Sequence, residues 1–173
     1  TYGLSSQAMI RATHIKQVGL STGFTVIHNN EVLGEICTNM PGKHNISNAL
    51  AAIAVSLELN IPFSKIQQAL NNFDGVNRRF TIRAKGALEA GTEEVTVIDD
   101  YGHHPVEIEA TLQAARDSWP VNSITAIFQP HRYSRVRDHF DEFCQSFNNA
   151  NRVIIAPIYR AGERPIEGLD QHS

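Results

Sequence analysis

Two histidine-containing clusters of this chain each follow a short apolar segment and precede a segment with helical spacing. They are Asp99 to Pro105, with the sequence DDYGHHP, and Phe128 to Arg135, with the sequence FQPHRYSR. Val95 to Ile98 and Ile124 to Phe128 are predicted to be buried strands, because β-branched and aromatic residues run together and stop at polar or turn residues. Open α/β sheets place ligand chemistry beyond the carboxyl ends of their strands. We therefore expect the two clusters to lie side by side around one crevice.

The clusters combine carboxylates, imidazoles, guanidiniums and phenols. This combination suits an anionic or phosphorylated ligand, since an arginine fork matches carboxylate and phosphate oxygens in pairs. With 42% hydrophobic and 19% charged residues, the 173-residue chain has the composition of one ordinary globular domain or two small ones. Its formal net charge of −3 gives no support for nucleic-acid binding, which usually needs a basic face. The composition therefore gives no reason to expect a nucleic-acid partner.

The sequence carries no signal for export or membrane insertion. Its two cysteines, Cys37 and Cys144, lack metal-ligand spacing, and it contains neither a signal-peptide pattern nor an apolar segment of transmembrane length. We expect a cytoplasmic location and no membrane partner. Because the chain begins with Thr1 and ends with Gln171-His172-Ser173, we also expect it to be a piece of a longer protein. The sequence leaves the oligomeric state unknown.

The first part of the chain predicts a hairpin followed by two helices. Gly19 to Ile27 and Val32 to Cys37 have strand character, and His28-Asn29-Asn30 supplies the turn between them. Two helical segments follow, separated at Asn60-Ile61-Pro62, with Asn45 or Ser47 as the expected N-cap of the first and Ser64 of the second. Helical spacing predicts that their apolar stripes consist of Ile46, Leu50, Ile53, Ala54, Leu57, Ile66, Ala69, Leu70 and Phe73.

From Phe80 onward, strands and helices alternate in the predicted structure. The expected strands are Phe80 to Ala84, Glu94 to Ile98, Ser123 to Phe128 and Arg152 to Ala156. Helices are expected to begin near Pro105 and to extend from about Ser134 to Phe147, the latter with a core stripe of Val136, Phe140, Phe143, Cys144 and Phe147. Such alternation predicts βαβ units and a parallel sheet. The sheet is expected to be partial, because the sequence ends soon after the fourth strand.

Four segments, in order along the chain, carry the motifs of one enzyme family. Gly42 to Ala52 has the pattern G-x-H-N-x-x-N-x-x-A-A, Gly75 to Phe80 is an arginine-containing linker, and the two histidine clusters follow. Together they resemble the Mur ligases, the ATP-dependent enzymes that add amino acids to the peptidoglycan precursor. Phe128 to Arg135 resembles the segment of the members that use L-alanine, whereas the murein tripeptide ligases carry a different one. The resemblance implies an amide-forming ligase, and the tripeptide-using members are the alternative within the family.

The resemblance also implies an α/β architecture, in which the end of a central ATPase domain is followed by a partial Rossmann-like C-terminal domain. Residues 1–73 would belong to the central ATP-binding domain, 74–79 to the linker and 80–173 to the C-terminal domain. The family's phosphate loop, G-x-x-x-x-G-K-[ST], and its upstream metal-binding carboxylate do not occur in the 173 residues. ATP and magnesium are thus expected cofactors with sites mostly outside this chain, which by itself is expected to be inactive.

The reaction implied by the resemblance has two steps. A carboxylate of UDP-N-acetylmuramate attacks the γ-phosphate of ATP, and the amine of L-alanine then displaces phosphate from the acyl phosphate through a tetrahedral intermediate. The residues implied for nucleotide binding are His44, Asn45, Asn48, Arg79 and Asp100. Those implied for substrate binding are Tyr101, His103, His131, Arg132 and Arg135. Among the latter, the candidate catalytic residues are His103, Arg132 and Arg135, and no metal ligand is assigned.

Structural roles stay open for several of these residues. His44-Asn45 also suits a helix cap, since asparagine is a leading N-cap residue. Asp99 equally suits a cap of the helix that begins at Pro105. One of Arg78 and Arg79 is expected to be a solvated linker charge.

Two other functional classes compete with the ligase. A metal-dependent hydrolase would use the cluster's carboxylates and imidazoles as ligands, namely Asp99, Asp100, His103, His104 and His131. Adjacent Asp-Asp and His-His pairs do not easily point at one ion, however, and the interleaved arginines would repel a cation. A non-catalytic nucleotide-binding module is disfavoured because no G-x-G-x-x-G turn follows a strand. The ligase interpretation therefore ranks above both.

Overall fold

Two units make up the part of the chain that the computed structural model describes, residues 1–87 and 94–169. The first unit is Thr1–Asp100 and the second is Tyr101–Ser173. The predicted C-terminal domain, 80–173, includes residues 88–93 and 170–173, which lie outside the described residues. Within residues 1–87 and 94–169, no helix has the length and apolar character needed to cross a membrane.

A four-stranded sheet in the order β1-β2-β3-β4 opens the first unit. Its strands are β1 (Tyr2–Gly3), β2 (Ile10–Val18), β3 (Ser21–His28) and β4 (Glu31–Thr38). β1 pairs with β2 in parallel, whereas β2 with β3 and β3 with β4 are antiparallel. The predicted hairpin is confirmed as β3 and β4, which are joined by two asparagines with positive φ.

β2 has no counterpart in the sequence prediction. Ile10 and Ala12 are buried, but the pairing of β2 with β3 shifts between Thr13 and Lys16, and His14 has a φ of 49°. A bulge of this kind interrupts the strict alternation by which a half-buried strand is recognised.

Two helices pack on this sheet, α1 (Lys43–Glu58) and α2 (Phe63–Asn71). The stripe predicted for α1 is confirmed, because Ile46, Leu50 and Ile53 are at most 2% exposed. The core of this unit consists of Ile10, Ala12, Phe24, Val26, Ile36, Ile46, Ala49, Leu50, Ile53 and Ile66, with Leu33, Ala54, Leu57, Phe63 and Leu70 partly buried against it.

The predicted helix caps are wrong. α1 begins one residue after Gly42, whose φ of 96° turns the chain into the helix without a side-chain cap. α2 begins after Pro62, which leaves Ser64 inside the helix, and it ends at Asn71, so that Phe73 is outside and 39% exposed. Backbone conformation at a glycine and a proline thus sets these starts, where side-chain capping was expected.

Leu50→Ala is expected to lower the free energy of unfolding by about 2–5 kcal/mol, since it leaves a cavity in a fully buried position of α1. Val55→Ala is the matched control on the same helix, because Val55 is 61% exposed and should change stability by no more than about 0.5 kcal/mol. Urea unfolding followed by far-ultraviolet circular dichroism measures both. Equal destabilisation by the two substitutions would contradict the observed packing.

The next two strands, β5 (Thr81–Ala87) and β6 (Glu94–Asp99), also belong to the first unit. They pair antiparallel in a two-stranded sheet, so the predicted parallel arrangement is wrong for them. Only residues 88–93 join them in the sequence, and a parallel crossover needs a dozen or more residues.

The second unit contains the expected βαβ arrangement. Its elements are α3 (Pro105–Ser118), β7 (Thr125–Phe128), α4 (Tyr133–Asp138), α5 (Phe140–Gln145) and β8 (Arg152–Ile155). β7 and β8 pair in parallel, which confirms the prediction for these two strands. Its core consists of Ile108, Leu112, Phe128, Val136 and Phe143.

The single helix predicted from Ser134 to Phe147 is wrong, because His139 separates α4 from α5 with φ −129° and ψ 29°. The break changes which side chains face the core. Val136 and Phe143 are buried as expected, whereas Phe140 and Cys144 are exposed.

Candidate active site

In the first unit, the charges of two predicted nucleotide-binding residues, Arg79 and Asp100, act on a third, His44. His44 lies half-buried in the first turn of α1. Burial lowers the pKa of its imidazole, the carboxylate of Asp100 opposes that effect, and the guanidinium of Arg79 adds to it. The three side chains are therefore near one another, and His44 is neutral at neutral pH.

The two predicted asparagines form one polar group with the start of α1. The side-chain amide of Asn45 donates to the carbonyl oxygen of Pro41 at 2.8 Å. Its oxygen accepts from Nδ2 of Asn48 at 3.4 Å, and Asn48 is exposed. Asn45 thus supports the helix start from within the first turn, while Asn48 presents an amide able to donate and accept.

The adjacent carboxylates Asp99 and Asp100 have different partners. Oδ2 of Asp99 accepts from Arg83 at 2.8 Å and 3.2 Å, and Nε of Arg78 lies 3.6 Å from it. Oδ2 of Asp100 accepts from the backbone N–H of Phe80 at 2.9 Å. Asp99 therefore ties β6 to β5 and to Arg78, a structural role between strands that differs from the helix cap considered as one alternative.

In the second unit, the predicted site residues form a row of rings. Ring centroids are 5.1 Å apart between Tyr101 and His103, and 6.2 Å apart between His103 and His131. The expected adjacency of the two clusters is thereby confirmed for these members. Tyr159 extends the row, with its ring centroid 5.3 Å from that of His131. Sequence reasoning missed Tyr159, although it follows β8 as the clusters follow their strands.

His103 and His104 are held by Glu107, which caps α3. Oε2 of Glu107 accepts from the backbone N–H groups of His103 at 3.0 Å and of His104 at 3.1 Å. Nδ1 of His103 lies 3.0 Å from the carbonyl oxygen of Tyr101. A proton on Nδ1 would make that hydrogen bond and leave Nε2 as an acceptor, which is the state of a general base.

The arginines make the surroundings of His131 positive. Nη1 of Arg135 donates to the carbonyl oxygen of His131 at 3.1 Å and lies 3.4 Å from Nδ1 of the same residue. Burial lowers the pKa of His131, and the charges of Arg135, Arg132 and His103 lower it further. The guanidinium charges, rather than the burial, create a positive potential beside His131, and such a potential favours an anion.

His131 is expected to titrate below its usual pKa, and Arg135→Gln should raise that pKa, because one neighbouring positive charge is removed. Arg135→Lys keeps the charge and should leave the pKa nearly unchanged. Since the unfolded chain binds this proton more readily, the contribution of His131 to stability is present above about pH 6.5 and is lost as the pH falls through the lowered pKa. NMR titration of the imidazole protons measures the shift, and an unchanged pKa in Arg135→Gln would contradict it.

Two further residues, Ser134 and Glu163, lie close in the structure to the segment that contains His131 and Arg132. Neither was predicted as a site residue. Oε2 of Glu163 accepts from the backbone N–H of Ser134 at 2.9 Å, and Oε1 accepts from its hydroxyl at 2.5 Å. Glu163 is part of a loop after β8, and the sequence offered no signal beyond the turn residues around it.

The hydrolase alternative depends on a converging set of metal ligands. Among residues 1–87 and 94–169, no three His, Cys, Asp or Glu side chains come together in a way that could hold a metal ion. Asp99 is engaged by two arginines, and His103 lies against Tyr101 and Glu107. The described residues therefore do not fit a magnesium site either.

Sequence profiles of one family cover most of the chain. The profile described as the Mur ligase middle domain matches residues 1–56, and that of the Mur ligase, glutamate ligase domain matches residues 78–172, more than half of the chain. The chain belongs to the Mur ligase family.

Relatives of this Mur ligase chain are similar over nearly its whole length. UDP-N-acetylmuramate–L-alanine ligase of Pelobacter propionicus is 53% identical over 97% of the chain and 35% of that protein. The enzyme of the same name from Trichlorobacter lovleyi is 51% identical over 98% of the chain and 36% of that protein. The chain thus spans about a third of the length of the curated relatives it matches.

A solved structure shares the fold. The crystal structure of UDP-N-acetylmuramate-alanine ligase from Thermotoga maritima matches with a TM-score of 0.76 and 30% identity, over 91% of this chain and 34% of that one. A murein peptide ligase from Psychrobacter arcticus matches with a TM-score of 0.58 and 27% identity, over 89% of this chain and 31% of that one. The expected α/β architecture of a Mur ligase is confirmed by the first of these matches.

Proposed function

We propose that the chain is part of an ATP-dependent ligase that joins L-alanine to UDP-N-acetylmuramate during peptidoglycan precursor synthesis. The observation that carries this proposal is the 53% identity to an L-alanine ligase over 97% of the chain, which includes the segment Phe128 to Arg135. The murein tripeptide ligases are the alternative, and the solved murein peptide ligase is less similar in sequence and in structure than the solved alanine ligase.

The residues of the first unit are proposed to serve the nucleotide. A neutral, half-buried His44 suits the uncharged adenine ring, and the exposed amide of Asn48 suits the edge of a base. Arg79 offers a guanidinium to a phosphate, and Asp100 offers carboxylate oxygens to a ribose hydroxyl. Asn45 contributes by holding the first turn of α1 in place.

The residues of the second unit are proposed to serve the acyl transfer. The amine nitrogen of L-alanine attacks the acyl carbon, a tetrahedral intermediate forms, and phosphate leaves as the C–O bond breaks. Arg132 and Arg135 would bind the alanine carboxylate and the negative charge that develops in this step. His103, with the proton on Nδ1 and Nε2 as an acceptor, would take the proton of the attacking amine, while Tyr101 and His131 lie beside it.

Two further parts of the proposal concern the longer protein. Magnesium would bind outside the described residues and neutralise phosphate charge there, and no step above depends on its geometry. The enzyme is proposed to work in the cytoplasm, in agreement with a reaction that uses ATP.

The test is substrate-dependent phosphate release by the full-length protein. With ATP and UDP-N-acetylmuramate present, we expect L-alanine to stimulate phosphate release at least about tenfold over the rate without amino acid. Stimulation by a murein tripeptide, with none by L-alanine, would favour the alternative ligase. Phosphate release that is independent of both acceptors would overturn the proposal.

A further inference from the structure

Arg132 has an unusual backbone conformation, with φ 74° and ψ 132° as it precedes α4. A non-glycine residue with such a φ is strained, and the strain persists only where the surrounding structure holds it in place. Strained residues of this kind concentrate at functional sites. Arg132 is also exposed and belongs to the proposed substrate site, so its conformation requires an explanation.

The segment from Tyr159 to Glu163 holds the chain on both sides of Arg132. The backbone N–H of Arg132 donates to the carbonyl oxygen of Tyr159 at 2.9 Å, and that of Tyr159 donates to Pro130 at 2.8 Å. After Arg132, the carboxylate of Glu163 accepts both the backbone N–H and the hydroxyl of Ser134. The strained residue is therefore fixed between two anchors that come from one segment.

A tight turn delivers Glu163 to this position. The N–H of Glu163 donates to the carbonyl oxygen of Arg160 at 3.0 Å, and Ala161 and Gly162 have φ values of 49° and 88°. The pKa of Glu163 is lowered by the side-chain and backbone hydrogen bonds of Ser134 and, more weakly, by the charge of Arg132. Glu163 is thus an ionised acceptor, and hydrogen bonds to a charged group are stronger than those between neutral groups.

We propose that Glu163 is a positioning residue of the substrate site, which holds Ser134 and thereby keeps Arg132 in the conformation that its interaction with the amino-acid substrate requires. This inference rests on the proposed ligase function. Glu163 acts through Ser134 and the backbone, and it does not contact the reacting atoms. Its loss therefore affects the amino-acid substrate and spares the nucleotide, whose proposed residues lie in the first unit.

The kinetic test uses the full-length protein. Glu163→Ala is expected to raise the KM for L-alanine about 10- to 100-fold, the value of a hydrogen bond to a charged group, and to leave the KM for ATP within about twofold. Ser134→Ala should shift the KM for L-alanine in the same direction, and Ser134→Thr, which retains the hydroxyl, should restore it. Glu167→Ala is the matched control, since Glu167 is an exposed carboxylate of the same loop.

A second measurement uses the 173-residue chain and needs no activity. Hydrogen exchange at the Ser134 amide should become at least about tenfold faster in Glu163→Ala and stay unchanged in Glu167→Ala. Unchanged exchange at Ser134, or equal rises in the KM values for L-alanine and ATP, would overturn the positioning role. A full-length protein without alanine-dependent phosphate release would instead refute the proposed function, while the exchange result would still decide whether Glu163 holds Ser134.

Discussion

Replacing Arg132 or Arg135 with alanine in the full-length protein is expected to reduce turnover about 100- to 1000-fold, equivalent to about 2.7–4 kcal/mol of transition-state stabilisation. Burial is the first cause of the lowered pKa of His131, and the charges of both guanidiniums lower that pKa further. An acyl phosphate and a tetrahedral intermediate concentrate negative charge, so the loss of either guanidinium removes an interaction that strengthens during the reaction. The rate of alanine-dependent phosphate release under saturating substrates measures the effect.

Arg137→Ala is the matched control for this experiment. Arg137 lies on the same short helix, but its side chain is exposed and its Nε donates to Oδ1 of the neighbouring Asp138 at 2.7 Å. We expect turnover within about twofold of the unsubstituted enzyme. ATP binding should survive in all three variants, because the residues proposed for the nucleotide lie in the first unit. Equal losses for Arg137→Ala and Arg135→Ala, or a selective loss of ATP affinity in Arg132→Ala, would contradict the assignment.

The 173-residue chain by itself is expected to show no ligase and no ATPase activity. Phosphoryl transfer depends on a phosphate-binding loop and on metal ions that bridge the phosphates, and the sequence contains no G-x-x-x-x-G-K-[ST] segment. The described residues also bring together no set of metal ligands. The residues proposed above for the site bind and orient substrates in that proposal, and none of them is assigned to activating the phosphate.

The expected inactivity of the 173-residue chain is measured by phosphate release from ATP, with UDP-N-acetylmuramate and L-alanine present. The rate should equal that of a protein-free blank, and a full-length sample in the same buffer serves as the positive control. Release by the short chain that rises with the L-alanine concentration would show that the phosphate-activating groups lie among these residues after all.

Local patterns in the sequence were sufficient for much of the fold. The stripe of Ile46, Leu50 and Ile53 has helical spacing, and it is buried as that spacing predicts. Asn29 and Asn30 accept positive φ at low cost, so they mark the hairpin turn without help from distant residues. The expected meeting of His103 with His131 is also observed, although β6 and β7, which precede their two clusters, belong to separate two-stranded sheets.

Other features depended on contacts that no local pattern carries. The direction of a strand depends on the strand with which it pairs. The alternation of strands and helices predicted parallel strands, but the short connection between β5 and β6 allows only an antiparallel pair. His139 breaks the helix predicted after Ser134, which moved Phe140 and Cys144 from the core to the surface. The roles proposed for the site residues stay predictions.

The amino-acid sequence by itself determined which family the chain belongs to, because motifs such as Phe128 to Arg135 are contiguous and keep their spacing in any fold. Only the tertiary structure decided how those residues are held. Glu163 reaches Ser134 from 29 positions along the chain, and Tyr159 reaches Arg132 through its carbonyl oxygen. Hydrogen bonds between residues so far apart form only after the strands and helices have packed, so their partners could not be read from local sequence.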